Sequence, residues 1–334
     1  MFIMKTLNET TNVNILSQFD LGTGYQAVVQ KGNVGSKYVY ALQLRGDTTT
    51  ILRGYRGYNI NNSILELSGQ AGGHTQTWEF AGNHNDINGN TRAGQWFVGV
   101  KPSYNDPKYK WAKQIARVDI RYTSGPHASN TEFPRLAYLN RAGSDPFSGD
   151  DMTHAEAAVS PDYTKFLIAT IEDGEIGHFT IYDLDTINNA LDNAGTGYVS
   201  LDGFPYQTSF TISNLYGDGQ DNIINSIQGF DLDNNGNIYI SSQHYPSLKN
   251  GHWSVHHKQI VKIPYYAQSE DAESQWSSVN LSAFGGLDIS GKHSEVESIQ
   301  IIDEDHCYLT VAYHANVYGK NKTVLNKIYE LTWD

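Results

Sequence analysis

Two glutamates and two histidines raise the first chemical question in this chain. Glu156 and Glu297 each open a short signature: Gln or Glu, then a small residue, then an apolar one. Three further copies open with Gln26, Gln76 and Gln228, so the set reads Gln26-Ala27-Val28, Gln76-Thr77-Trp78, Glu156-Ala157-Ala158, Gln228-Gly229-Phe230 and Glu297-Ser298-Ile299. His74, His154 and Glu295 stand two residues before three of the copies. Residues two apart on a strand share a face, so these groups point the same way as the Gln or Glu that follows. Gathered round one axis they would make a polar pocket able to hold a cation or sugar hydroxyls. The competing reading is structural: amides and carboxylates satisfying the backbone of neighbouring strands. The small residue in each copy suits a crowded axis under either reading.

The elements that must position these groups recur with the signature. The copies are 50, 80, 72 and 69 residues apart. Each is followed by a second apolar run: KYVYALQL (37–44), QWFVGVKP (95–102), KFLIATIE (165–172), NIYISSQH (237–244) and HCYLTVAY (306–313). These runs are rich in Val, Ile, Tyr and Phe, which suit a pleated, half-buried surface. A third run comes next at 49–55, 114–120, 178–184, 258–264 and 326–332. Fourth runs lie at 62–68, 134–140, 208–215 and 277–284, and the fifth is missing because the chain ends. VNILSQFDL (13–21) supplies it from the other terminus.

The pattern predicts an all-β, five-bladed propeller of four-stranded blades, its ring closed by the N-terminal strand so that no sheet edge stays open. It is read as one domain, 1–334, with blades at about 22–68, 72–140, 152–215, 224–284 and 293–334 plus 13–21. The one stretch with helical spacing, DTINNALDNA (185–194), is a short turn or helix carrying Ile187 and Leu191.

Charge narrows the partners. With 36 acidic and 23 basic residues the net charge is −13, which repels nucleic acid and opposes charge-driven attack on anionic lipid. No apolar run reaches the roughly 18 residues of a membrane span. The opening MFIMKTLNETTN lacks the apolar core and cleavage site of a signal peptide, and either Met1 or Met4 is the start. The single cysteine, Cys307, reads as a small buried hydrophobe. Among the motifs, DLDNNGNIY (231–239) begins like a calcium loop but has Ser242 where the bidentate Glu belongs, so it reads as a hairpin turn. GHWSVHHK (251–258) reads as a solvated, aromatic-bearing loop. RGYRGY (53–58) offers Arg53, Tyr55, Arg56 and Tyr58 either to cap a blade or to stack on sugars and pair with phosphates. No G-x-S-x-G, H-E-x-x-H or P-loop is present, and no cofactor or metal is expected from the sequence.

Five segments, GYQAVVQKGNVGSKYVY (24–40), AGGHTQTWEFAG (71–82), MTHAEAAVSPDYTKFLIAT (152–170), SIQGFDLDNNGNIYISSQ (226–243) and GKHSEVESIQIIDEDHCYLTVAYH (291–314), closely resemble the helveticin J family of large, heat-labile bacteriocins of lactobacilli. The resemblance spans essentially the whole chain. It implies a secreted bactericidal protein that binds and compromises the envelope of related Gram-positive bacteria, with a wall glycopolymer or surface protein as partner. It brings no catalytic residues. Two other readings stay open: a wall-directed hydrolase using Glu156, Glu297, His74 and His154, and a lectin-like protein of the surface layer.

Overall fold

Runs of β-branched and aromatic residues broken by Gly, Asn and Asp turns fold into short antiparallel strands joined by tight connections. The computed structural model describes residues 7–86, 88–105, 108–217 and 222–334, and Met4 lies outside the described residues. Five sheets form the ring. Blade 1 is built from Val29–Val34, Tyr38–Arg45, Thr48–Tyr55 and Asn62–Leu67. Blade 2 takes Trp78–Phe80, Gln95–Pro102, Ala112–Asp119 and Arg135–Ala137. Blade 3 takes Met152–Val159, Lys165–Glu172, Ile176–Asp183 and Thr208–Ile212. Blade 4 takes Gly229–Leu232, Ile238–Ser242, Gln259–Ile263 and Ser277–Asn280. Blade 5 takes His293–Asp303, His306–Val317 and Lys320–Trp333 from the C-terminal end, with Val13–Asp20 as its outer strand.

The closure is the one the repeat predicts. Val13 pairs with Trp333 and Asp20 with Lys327, antiparallel, so both ends of the chain sit in one sheet. The first strand of each blade touches the first strand of the next, blade 5 returning to blade 1. The four-stranded plan gains a fifth strand in three blades. Asn8–Thr10 adds in parallel to Ser277–Asn280 of blade 4, Pro126–His127 to Asn62–Leu67 of blade 1, and Tyr198–Ser200 to Arg135–Ala137 of blade 2. Each comes from the following blade, so each outer edge is stapled by its successor.

Among the described residues the buried apolar side chains fall into five clusters, each between neighbouring blades. Trp78 and Trp96 stack 4.9 Å apart between blades 1 and 2, for example. A sheet with two apolar faces has no stable existence without a neighbour on each. At the axis the inner strands nearly touch. A Cβ on Gly229 would lie 2.8 Å from the Ser298 backbone, and one on Gly32 would lie 2.6 Å from Thr310 Oγ1.

The segment 185–194 is a helix, Leu184–Ala194, capped by the Asp183 carboxylate on the Thr186 N–H, with Ile187 and Leu191 buried. The 231–239 stretch is a hairpin turn in which the Asp233 carboxylate accepts from the N–H groups of Asn235 and Asn237. Cys307 is buried in blade 5.

Deleting residues 1–21 strips roughly half a dozen ladder hydrogen bonds, worth about 1 kcal/mol each, and bares the apolar edge of blade 5. The shortened chain is expected to lose its cooperative thermal transition or to form dimers by size-exclusion chromatography. A monomer that keeps the full-length Tm would contradict this account of closure.

Candidate functional site at the propeller axis

All five inner strands run in the same direction, so their N-terminal ends converge on one face of the ring. A cavity of about 830 Å³ opens there. Its floor is set by Gln30, His74, Gln76, Gln228, Glu295 and Glu297, and Tyr109, Trp111, Tyr216 and Tyr245 stand round its wall.

The site is best followed from blade to blade. His74 Nε2 lies 2.8 Å from Gln30 Oε1. The His74 ring stacks on Trp111 at 3.9 Å, and Trp111 stacks on His154 at 3.7 Å, making a three-ring wall from blades 2 and 3. His154 Nε2 lies 3.0 Å from Glu156 Oε1. Glu156 does not line the cavity. It is buried beneath it, accepting from the Gln76 N–H at 2.8 Å, the Thr75 hydroxyl at 3.0 Å and the Thr77 hydroxyl. Both its oxygens are committed, and they clamp blade 3 to blade 2. The structural reading suits Glu156, and a hydrolytic role for it has no free oxygen to work with.

Glu295 and Glu297 are different. They project from one face of one strand and share a hydrogen bond. Glu295 is also held by His314 Nε2 at 2.8 Å and by the Gln228 amide at 3.3 Å. Burial first, then the neighbouring Glu295 carboxylate, push Glu297 well above the ordinary carboxylate value. The protonated form of Glu297 can both donate and accept a hydrogen bond. Gln228 also donates to the Gln243 carbonyl at 2.7 Å, and Gln76 reaches Gln228 at 3.5 Å. The Gln76 side chain, 4% exposed, has no hydrogen-bond partner for its Oε1 among the described residues.

Beneath the floor lies the charge that holds the axis. Lys31, 1% exposed, pairs with Glu79 at 2.5 Å and donates to the Ile299 carbonyl at 2.7 Å. Burial opposes its charge, but Glu79 and Asp231 outweigh it and hold the ammonium above its ordinary value.

Of the residues singled out from the sequence, His74, Gln76, His154, Gln228, Glu295 and Glu297 meet at the cavity, Glu156 underlies it, and Gln26 is exposed away from it. The inner strand of blade 1 begins only at Val29. Ala41 and Ser241 occupy the same place in the aligned second runs, and their strand partners are Gly32 and Gly229. The first copy of the signature is thus Lys31-Gly32, with Lys in place of Gln or Glu, and Gln30 takes the place at the cavity that Gln26 was expected to fill. The spacing of the runs does not give this register; the pairing of Gly32 with Ala41 does. Tyr109, Trp111, Tyr216 and Tyr245 carry no such signal, because they lie on connections or outer positions that only the closed ring brings to the axis.

Comparison with known proteins agrees over the full length. The family model for bacteriocin helveticin-J matches residues 9–334. Bacteriocin helveticin-J of Lactobacillus helveticus is 72% identical over 334 residues, covering 99% of this chain and 100% of that one. The chain belongs to the helveticin-J family of bacteriocins.

Solved structures are far more distant. A GH43_1 enzyme from Xanthomonas citri complexed with xylose shares 11% identity with a TM-score of 0.41, covering 95% of this chain and 89% of its own. A subtype N11 neuraminidase-like protein of A/flat-faced bat/Peru/033/2010 shares 11% with a TM-score of 0.40, covering 98% and 95%. At such scores neither carries a functional argument for this member of the helveticin-J family. No helix among the described residues is long and apolar enough to cross a membrane.

Two outcomes follow for this family member. Lys31→Met should cost about 3–5 kcal/mol in denaturant unfolding, because it strands a buried Glu79 carboxylate. Adding Glu79→Gln should recover part of that loss. For Glu297 the folded state keeps a proton that the unfolded chain loses near 4.5. That contribution is complete below the unfolded value and lost as the pH rises through the raised folded one. Glu297→Gln is fixed in the neutral form, so its Tm relative to wild type should climb as the pH rises above about 5. A difference that stays flat with pH would show that the pair holds no extra proton.

Proposed function

We propose that this bacteriocin recognises its target through the axial cavity, binding a neutral saccharide segment of the envelope of related Gram-positive bacteria from outside the producing cell. Sugar hydroxyls both donate and accept. The floor answers with groups of the same kind: the amides of Gln30, Gln76 and Gln228 and the hydrogen-bonded carboxyls of Glu295 and Glu297. Tyr245, 48% exposed beside His314, and Tyr109, 44% exposed, offer ring faces at the mouth. The observation that carries the reading is Gln76, buried at the cavity beside Glu297, whose Oε1 has no hydrogen-bond donor among the described residues. Burying such an atom costs about 1–3 kcal/mol, which a ligand hydroxyl would recover. The volume of about 830 Å³ suits two or three sugar rings. His74 and His154 act here as walls, and Glu156 as the brace beneath them.

Gln76→Met keeps the side-chain length and removes the acceptor. Depletion of the variant by purified target walls should weaken by about tenfold, with killing falling alongside and Tm little changed. Wild-type binding and killing by Gln76→Met would overturn this use of the cavity.

A further inference from the structure

The same inner strands have C-terminal ends, and these converge on the opposite face around a second cavity of about 610 Å³. Its chemistry differs from the first. The carboxylates at its floor are already matched within the protein: Glu79 pairs with Lys31, and Asp231 accepts the N–H groups of Leu232 at 2.8 Å and Ile301 at 2.7 Å. Its rim is cationic. Lys37 and Arg56 line it, and Arg53 stands beside it with its guanidinium 4.8 Å from the Tyr38 ring centre. Lys37 lies 5.2 Å from the same ring, and Arg56 lies 5.5 Å from that of Tyr308.

Arg56 is also paired with Glu330 at 3.2 Å, a carboxylate that Ser17 and His306 hold as well. A hydrogen bond with Tyr55 draws the Tyr38 hydroxyl below its ordinary value against the effect of burial, and Lys37 and Arg53 add to it. Three cations round one mouth stand out in a chain of net charge −13. Phe80 and Tyr163, edge to face at 5.5 Å, complete an aromatic wall, and Tyr163 is 48% exposed.

We propose that this second mouth binds a phosphate-bearing saccharide or polyol chain, Lys37 and Arg56 meeting the phosphate and Tyr38, Tyr163 and Tyr308 the sugar or polyol carbons. Guanidinium forks and an ammonium match the oxygens of a phosphodiester. Aromatic rings match the apolar face of the units between phosphates. The RGYRGY stretch, which reads from sequence as either a blade cap or a phosphate and sugar contact, has its place here: Arg53 and Tyr55 brace Tyr38, and Arg56 faces the cavity. The protein then has two unlike binding ends on one axis, one for a neutral saccharide and one for an anionic chain. Neither end depends on the other.

The test uses the full-length protein and purified walls of a susceptible lactobacillus, before and after cold hydrofluoric acid has removed the phosphodiester-linked polymers and left the peptidoglycan. Wild type should bind the extracted walls about tenfold more weakly than intact ones. Lys37→Gln with Arg56→Gln should bind intact walls only as well as wild type binds extracted ones, with an unchanged Tm. Tyr245→Ala, at the other mouth, should weaken binding to both wall preparations. Unchanged wild-type binding after extraction would overturn the proposal, as would intact-wall binding by the double variant equal to wild type. An unaltered Tyr245→Ala would instead count against the neutral-saccharide cavity, so the two failures are distinct. Competition by a soluble polyuronate as strong as that by a poly(glycerol phosphate) would overturn the phosphate assignment.

Discussion

Everything in this molecule depends on the seam between residues 13–20 and 327–333. Each blade has two apolar faces, and the five apolar clusters lie between blades rather than within any of them. A ring of such sheets is stable only if its last interface is made as well as its first. The pairing of Val13 to Asp20 with the terminal strand makes it, using the two ends of the chain as outer and inner neighbours of one sheet. The parallel strands that reach from one blade to the edge of the blade before carry the same logic outward. They cover edges that would otherwise invite pairing with another chain.

Closing the ring creates the second constraint, a crowded axis. Glycines at 32 and 229 let their strands pack against blade 5 from either side where a Cβ would collide with it. Polar side chains fill what remains, and each has to be matched because water is largely excluded. Glu156 is matched by three donors from blade 2 besides His154, and Lys31 by Glu79 and the Ile299 carbonyl. These contacts bridge blades, so the axial polar network holds the blades in register as well as carrying charge. Matching stops at the two ends of the axis, where Gln76 keeps an unmet acceptor on one side and Lys37, Arg53 and Arg56 ring the other.

Much of this was legible without coordinates. Strand periodicity, the five aligned apolar runs and the missing fifth outer run supplied by residues 13–21 together specify a closed five-bladed ring, because short strands with two apolar faces have few other ways to hide them. The polar signature located six of the eight singled-out residues at one cavity. It failed at Gln26, where a Gln five residues early imitated the pattern while the true position carries Lys31. It also could not tell Glu156 from Glu297, since the two look alike in sequence and differ only in what surrounds them.

The chain by itself determined the class of fold, the order of the blades, the turn at 231–239 and the net charge of −13. These follow from local propensity, spacing and composition, which are properties of neighbouring residues. Tertiary structure alone decided which carboxylates are spent on structure and which face open space. It also brought Trp111 between His74 and His154, and set Lys37 and Arg56 at one mouth opposite Glu295 and Glu297 at the other. Those distinctions arise from contacts between residues tens to hundreds of positions apart, and no local pattern encodes a distance that exists only once the ring has closed.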